Sequence, residues 1–406
     1  MKFVVFLGDG MADLPIAELN GKTPLEAAEH PTMDFLAQNG KMGLAKTVPA
    51  GMPAGSDVAN LSVLGYDPAK YYSGRSPFEA LSMGIELNPE DVTYRCNLVR
   101  LSEESRLEDA TMIDYSSGEI ETDDARVNIE ALQQVVNRDG VELYPGISYR
   151  HCLVLRNADS GGTQTPPHDI TNQPISDKLP KGTNAELLLE ITKKSYQMLR
   201  DLPVNQERAR QGKNATNAAW MWGEGRKPNL PSFEGKYGCK GGMISAVDLL
   251  HGIAKSAGMT SIPVENITGT YHTDFKAKGA ATIEALKKGL DFVYIHVEAA
   301  DECGHHGELK EKIWSIEQID KLIVRPVLDY LMTCGEDFAV LLTPDHPTPL
   351  SLLTHTSDPV PFVLYRREDG TAKESSVRYT EADAKATGVY EPNGYTLMDQ
   401  LLLKRD

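Results

Sequence analysis

The sequence predicts an α/β protein: a mainly parallel sheet with helices on both faces, interrupted by an inserted α+β domain. Three observations carry this. Short apolar runs at 3–7, 292–297 and 338–343 alternate with helical patterns, the rhythm of a parallel sheet covered on both sides. Each run leads into an aspartate, Asp9, Asp301 and Asp345 in turn. The middle of the chain instead has shorter strand candidates joined by turn-rich connections.

In chain order, Phe3 to Leu7 reads as a buried strand closed by Gly8-Asp9-Gly10. A helical stretch follows over 24–39, and the Gly/Pro-rich segment 48–55 is a loop. Ser56-Asp57 opens another helical pattern towards Leu64. Between about 90 and 205 stand strand candidates at 92–98 and 152–155 and helices at 123–137 and 184–200. Polar, proline-bearing stretches at 88–91 and 203–214 read as hinges around this insertion. The run 308–333 is a long amphipathic helix between the last two strands.

Composition narrows the partners. A formal net charge of −17 over 406 residues argues against a nucleic-acid binder, because phosphate backbones are held by basic patches. A phosphorylated small substrate remains compatible, since bound cations and arginines reverse the field inside one cleft. The five cysteines are scattered without metal-ligand or disulfide spacing, which suits a reducing cytoplasm. No apolar run reaches membrane-spanning length, and the N-terminal run is too short for a signal-peptide core.

In an open parallel sheet, ligands gather outside the carboxyl ends of the strands. Asp9, Asp301 and Asp345 are therefore candidates to share one crevice, joined by His305, His346 and His355. Carboxylate with imidazole suits Mn²⁺ or Zn²⁺, whereas oxygens alone would favour Mg²⁺. So many donors exceed one tetrahedral ion and fit two cations roughly 3.5–4 Å apart. Each signal alone has a plainer reading. Gly-Asp-Gly is commonly a turn, Asp-His after a strand a surface pair, and Asp301 with His305 two solvated residues; Gly304 between them disfavours a regular helix. Ser56, after the flexible loop, reads as a helix cap or as a nucleophile at the positive end of that helix.

Gly8-Asp9-Gly10, Gly55-Ser56-Asp57, Asp301-x-x-x-His305, Pro344-Asp345-His346 and His355 together resemble the alkaline-phosphatase superfamily. More narrowly they resemble the archaeal-type cofactor-independent phosphoglycerate mutases. Leu61 to Pro68, Gly74-Arg75, Tyr94 to Asn97 and Tyr237 to Lys240 follow in that family's order. The resemblance implies that Asp301, His305 and His355 hold one metal, and Asp9, Ser56, Asp345 and His346 the other. It implies an alkaline-phosphatase-like domain of 1–80 plus 212–406, with a substrate-positioning domain over 81–211. It further implies exchange of 3-phosphoglycerate and 2-phosphoglycerate through a phosphoserine at Ser56, with no bisphosphoglycerate required. The candidates for anion contact are Arg95, Arg150, Arg226 and Lys240; those for proton transfer are His168 and Asp169. His251 and His296 read as packing residues.

The sequence departs from the mutase pattern at three places expected to contact substrate. Asn60 stands where such mutases often have histidine, and Trp222 where many have arginine before Gly-x-Gly. Thr165-Pro-Pro-His-Asp169 differs from an Asp-Pro-His order. An aromatic ring does not replace a charged fork. These features also resemble a sister branch proposed to act as homoserine kinases, although no Walker-type nucleotide loop is present. Phosphomonoester hydrolysis and non-catalytic metal binding are the remaining readings.

Overall fold

A computed structural model describes residues 1–367 and 376–403. The chain divides into two compact units, one of residues 1–72 with 229–406 and one of residues 73–228.

The first unit is built on an eight-stranded sheet. Its spatial order is Thr260–Ser261, Gly241–Ile244, Phe292–Val297, Lys2–Gly8, Phe338–Thr343, Val360–Arg366, Lys41–Ala45, Tyr390–Glu391. Val360–Arg366 pairs antiparallel with both neighbours, and the other pairings are parallel. The three central strands are buried at every residue, the pattern of strands covered on both faces. Val4, Phe6, Val293, Ile295, Val340 and Leu342 pack on one face against Leu36, Phe275, Leu286, Ile316, Val327 and Leu331 from the covering helices.

Two helical expectations are modified by local chemistry. The stretch 24–39 forms two helices, Pro24–Ala27 and Pro31–Asn39. Proline has no N–H to continue the first ladder, and Asp320 takes the N–H groups of Thr32 and Met33 at 3.3 and 2.7 Å to start the second. The run 308–333 is helical from Leu309 onwards, but Asp320–Val324 is a π-helical turn between Leu309–Ile319 and Arg325–Thr333. No helix among the described residues is long and apolar enough to cross a membrane.

The second unit is an antiparallel sheet with Val92–Leu101 at its centre, flanked by Arg150–Leu155 and Ala218–Arg226. The helices Thr122–Val136 and Ala185–Met198 bury Ile129, Leu132, Leu188 and Ile191 against Val92, Tyr94, Cys96 and Leu98. Alternation along the strand sends Thr93, Arg95 and Asn97 to the opposite face.

Candidate metal centre

Phe292–Val297, Lys2–Gly8 and Phe338–Thr343 are parallel neighbours, so their carboxyl ends open on one edge. Asp9 directly follows one of them and Asp345 stands one residue beyond another; Asp301 sits on the helix Ala299–His306 after the third. All three carboxylates are buried. Gly304 lies within that helix, contrary to the expectation from its low propensity. The reason is steric: a Cβ there would stand 2.5 Å from the Thr348 carbonyl.

The donors form two touching groups. Asp301 stands 3.3 Å from His305 and 3.4 Å from His355. His346 Nε2 stands 3.6 Å from Asp9 Oδ1, 3.4 Å from Asp345 Oδ2 and 3.1 Å from Ser56 Oγ. Ser56 Oγ is 3.4 Å from Asp9 Oδ2. Ser56 opens the helix Ser56–Val63. Asp57, by contrast, turns away to cap Val58 N–H and accept from Tyr72. Ligating atoms of Asp9, Asp345 and His346, and of Asp301, His346 and His355, lie within 4.8 Å of one another in each set.

Hydrogen bonds to main-chain carbonyls orient two of the rings. His305 Nδ1–H donates to the Leu353 carbonyl at 3.0 Å and His355 Nδ1–H to the Ala54 carbonyl at 3.2 Å. With both rings neutral the two Nε2 atoms carry lone pairs, and they face each other at 2.8 Å. Asp9 Oδ1 is buried with no hydrogen-bond partner among the described residues. Burial, joined by the charges of Asp345, Asp301 and Glu298, pushes the Asp9 carboxyl well above its usual range. Burial alone would lower His305, but Asp301 outweighs it and holds the ring up to about 9. Converging lone pairs and unneutralised carboxylates are the donor set of a cation site, and mixed oxygen and nitrogen donors fit divalent transition ions.

Behind the ligands lies a layer that sequence reasoning assigned otherwise. Asn60, expected to contact substrate, is fully buried: it donates to Asp345 Oδ2 at 2.8 Å and Ser56 O at 2.9 Å, and accepts from Tyr294 at 2.8 Å. Its polar atoms are all engaged inside the protein. His296, read as packing, is 2.8 Å from Asp9 Oδ2 and 3.1 Å from Ser245 Oγ. The available signal was a titratable residue inside a wholly buried strand, where polar groups require partners. His251 reaches Ser245 O at 2.9 Å.

In the second unit, Arg95 and Trp222 are paired across the sheet, and the Arg95 guanidinium lies 5.0 Å over the indole. Arg95 and Arg75 both bind Glu79, at 3.0 and 2.9 Å. His168 packs against Trp222 and Tyr115, with Asp169 3.5 Å away; burial pulls its pKa down. The Trp222 N–H donates to Asn97 at 2.9 Å. Arg150 is exposed, its guanidinium 5.3 Å over Tyr149. The other two expected anion contacts have these surroundings. Arg226 ties loops together through Ser160 and the Ala158 carbonyl. Lys240 is exposed at the amino end of the Gly241–Ile244 strand, the opposite edge of the sheet from the acids.

Fold and donors define an α/β protein whose strand ends gather carboxylates and imidazoles beside a serine. Residues 37–205 match the family model described as 2,3-bisphosphoglycerate-independent phosphoglycerate mutase. A probable mutase of that description from Geobacter sulfurreducens is 48% identical over 99% of this chain and 100% of its own length. One from Methanosarcina barkeri is 48% identical over 95% of both chains. Among solved structures, the PH0037 protein of Pyrococcus horikoshii superposes with a TM-score of 0.79 at 30% identity, covering 98% of this chain and 96% of its own. The cofactor-independent phosphoglycerate mutase of Thermoplasma acidophilum shares the fold, with a TM-score of 0.63 at 24% identity over 99% of both. The chain belongs to the 2,3-bisphosphoglycerate-independent phosphoglycerate mutase family.

Proposed function

We propose that this protein interconverts 3-phosphoglycerate and 2-phosphoglycerate through a phosphoserine at Ser56. The observation that carries the reading is Ser56 Oγ within 3.4 Å of Asp9 and 3.1 Å of His346, beside a donor set fit for two cations. Asp301, His305 and His355 would hold one cation, and Asp9, Asp345, His346 and Ser56 the other. Divalent cations there, Mn²⁺ being the first choice, would neutralise phosphate charge and ease loss of the serine proton. Ser56 Oγ bonds to phosphorus as the C3 oxygen of glycerate leaves and gains a proton. The C2 hydroxyl then gives up a proton and attacks the phosphoserine, and Ser56 Oγ leaves. The reverse direction exchanges the two oxygens.

The second unit is the substrate-positioning part in this reading. Arg95 and Arg150 contact the substrate's anionic groups. His168, kept neutral by its surroundings, is suited to move protons for the glycerate hydroxyls, with Asp169 as the alternative.

Trp222, standing where an arginine was expected, favours one second reading: homoserine phosphorylation from ATP by the same serine relay. One assay separates them. Cation-loaded protein given 3-phosphoglycerate alone should form 2-phosphoglycerate. Phosphohomoserine formed from homoserine and ATP, without mutase turnover, overturns the proposal.

A further inference from the structure

Thr348 belongs to neither donor group, yet it touches both. It is fully buried. Its hydroxyl donates to Asp301 Oδ1 and stands 3.3 Å from His346 Nδ1. A carboxylate only accepts, so the hydroxyl proton goes to Asp301 and the oxygen lone pair faces His346. His346 must then carry its proton on Nδ1. That leaves Nε2 bare towards Ser56, Asp9 and Asp345. A single hydroxyl orients one donor of each group.

The surroundings hold Thr348 firmly. Its N–H donates to the Ala12 carbonyl at 3.2 Å. Its own carbonyl accepts from Lys312 Nζ at 2.7 Å. Lys312 is wholly buried and paired with buried Asp13 at 2.7 Å, and Asp13 also accepts from Leu350 N–H at 3.2 Å. Two glycines on separate segments make room for it. A Cβ on Gly10 would stand 2.7 Å from Thr348 Oγ1, and one on Gly304 would stand 2.5 Å from its carbonyl. A buried ion pair adds little net stability against an apolar substitute; here it fixes the loop that carries the hydroxyl.

We propose that Thr348 is a positioning residue that couples the two cation sites, setting the His346 tautomer and the Asp301 carboxylate together. The proposal rests on the two-cation reading above. Its test is cation binding to chelator-stripped protein, followed by titration calorimetry and by the Mn²⁺ magnetic-resonance signal, so it does not depend on turnover.

Thr348→Val keeps the shape and removes the hydroxyl; Thr348→Ser keeps the hydroxyl and removes a methyl. The expected result is weaker binding of both ions by Thr348→Val, about 10–100-fold as for other groups that orient ligands. Thr348→Ser should stay within a few-fold of the unsubstituted protein. A packing role gives the reverse order, with valine tolerated and serine impaired, and overturns the proposal. Loss confined to one ion in Thr348→Val overturns the coupling. Should Thr348→Val fail to fold, impaired binding by Thr348→Ser alone overturns it, and normal binding supports it. Failure of the unsubstituted protein to bind two ions overturns the two-cation reading itself, which separates that failure from this one.

Discussion

His305 and His355 meet through their Nε2 atoms at 2.8 Å while each Nδ1–H is spent on a main-chain carbonyl. Between neutral rings two lone pairs at that distance repel; a proton on His305, which Asp301 favours, or a cation in its place relieves this. Removing cations with a chelator should therefore lower the thermal midpoint, and restoring Mn²⁺ should raise it. At one hundred times the dissociation constant the gain is about 2.7 kcal/mol per site. A midpoint indifferent to both treatments, followed by circular dichroism, contradicts the centre.

Ser56→Ala removes the oxygen proposed above to receive the phosphoryl group. Transfer from 3-phosphoglycerate should fall by roughly 10³-fold or more, and acid-trapped phosphoprotein should vanish. The remaining donors, Asp9, Asp345 and His346, keep their places because main-chain and buried contacts hold them. Retained turnover in this variant excludes Ser56 as the carrier.

Asn60→Leu should destabilise the first unit by about 1–3 kcal/mol, because Asp345 Oδ2 and the Tyr294 hydroxyl lose a buried partner. Tyr294→Phe, which removes only one end of that chain, should be milder. Urea midpoints of the two variants check the order.

Gly304→Ala tests a sign. In an exposed helix alanine gains about 1 kcal/mol over glycine. Here the added methyl meets the Thr348 carbonyl at 2.5 Å, so the variant should lose about 1–3 kcal/mol instead. A raised thermal midpoint refutes the close approach.

His151 supplies a pH dependence in the second unit. Its Nδ1 accepts the Gly146 N–H at 3.0 Å, and burial, with Arg95 and Arg150 nearby, lowers its pKa to about 3. The unfolded chain binds a proton near 6.5 that the folded one refuses, so this contribution is present above 6.5 and is lost as pH falls towards 3. Between pH 7 and pH 5 the loss is about 2 kcal/mol. His151→Asn retains an acceptor without a titrating ring and should flatten that slope in urea unfolding.

The central strands were legible because parallel strands buried on both faces read as unbroken apolar runs; 292–297 and 338–343 match residue for residue. The acids were legible because a strand end is a defined place in such a sheet. What escaped was whatever depends on a partner distant in sequence. His296 is polar in a strand for the sake of Asp9, 287 positions away. Gly304 sits in a helix for the sake of Thr348, and Asn60 looks like a surface polar group until Asp345 and Tyr294 are placed beside it. Lys240 shows the converse: a cation near a strand is at either edge of the sheet, and only the strand's direction decides which.

The Lys2–Gly8 strand has both of its sheet neighbours in the last third of the chain, Phe292–Val297 and Phe338–Thr343. On a ribosome adding about 5–20 residues per second, this apolar segment emerges on the order of tens of seconds before the chain that will flank it. The 73–228 unit is complete well before then. Nascent chains of this protein therefore pass through a stage in which a folded middle follows a sticky strand still without its neighbours, the species that chaperones are built to shield.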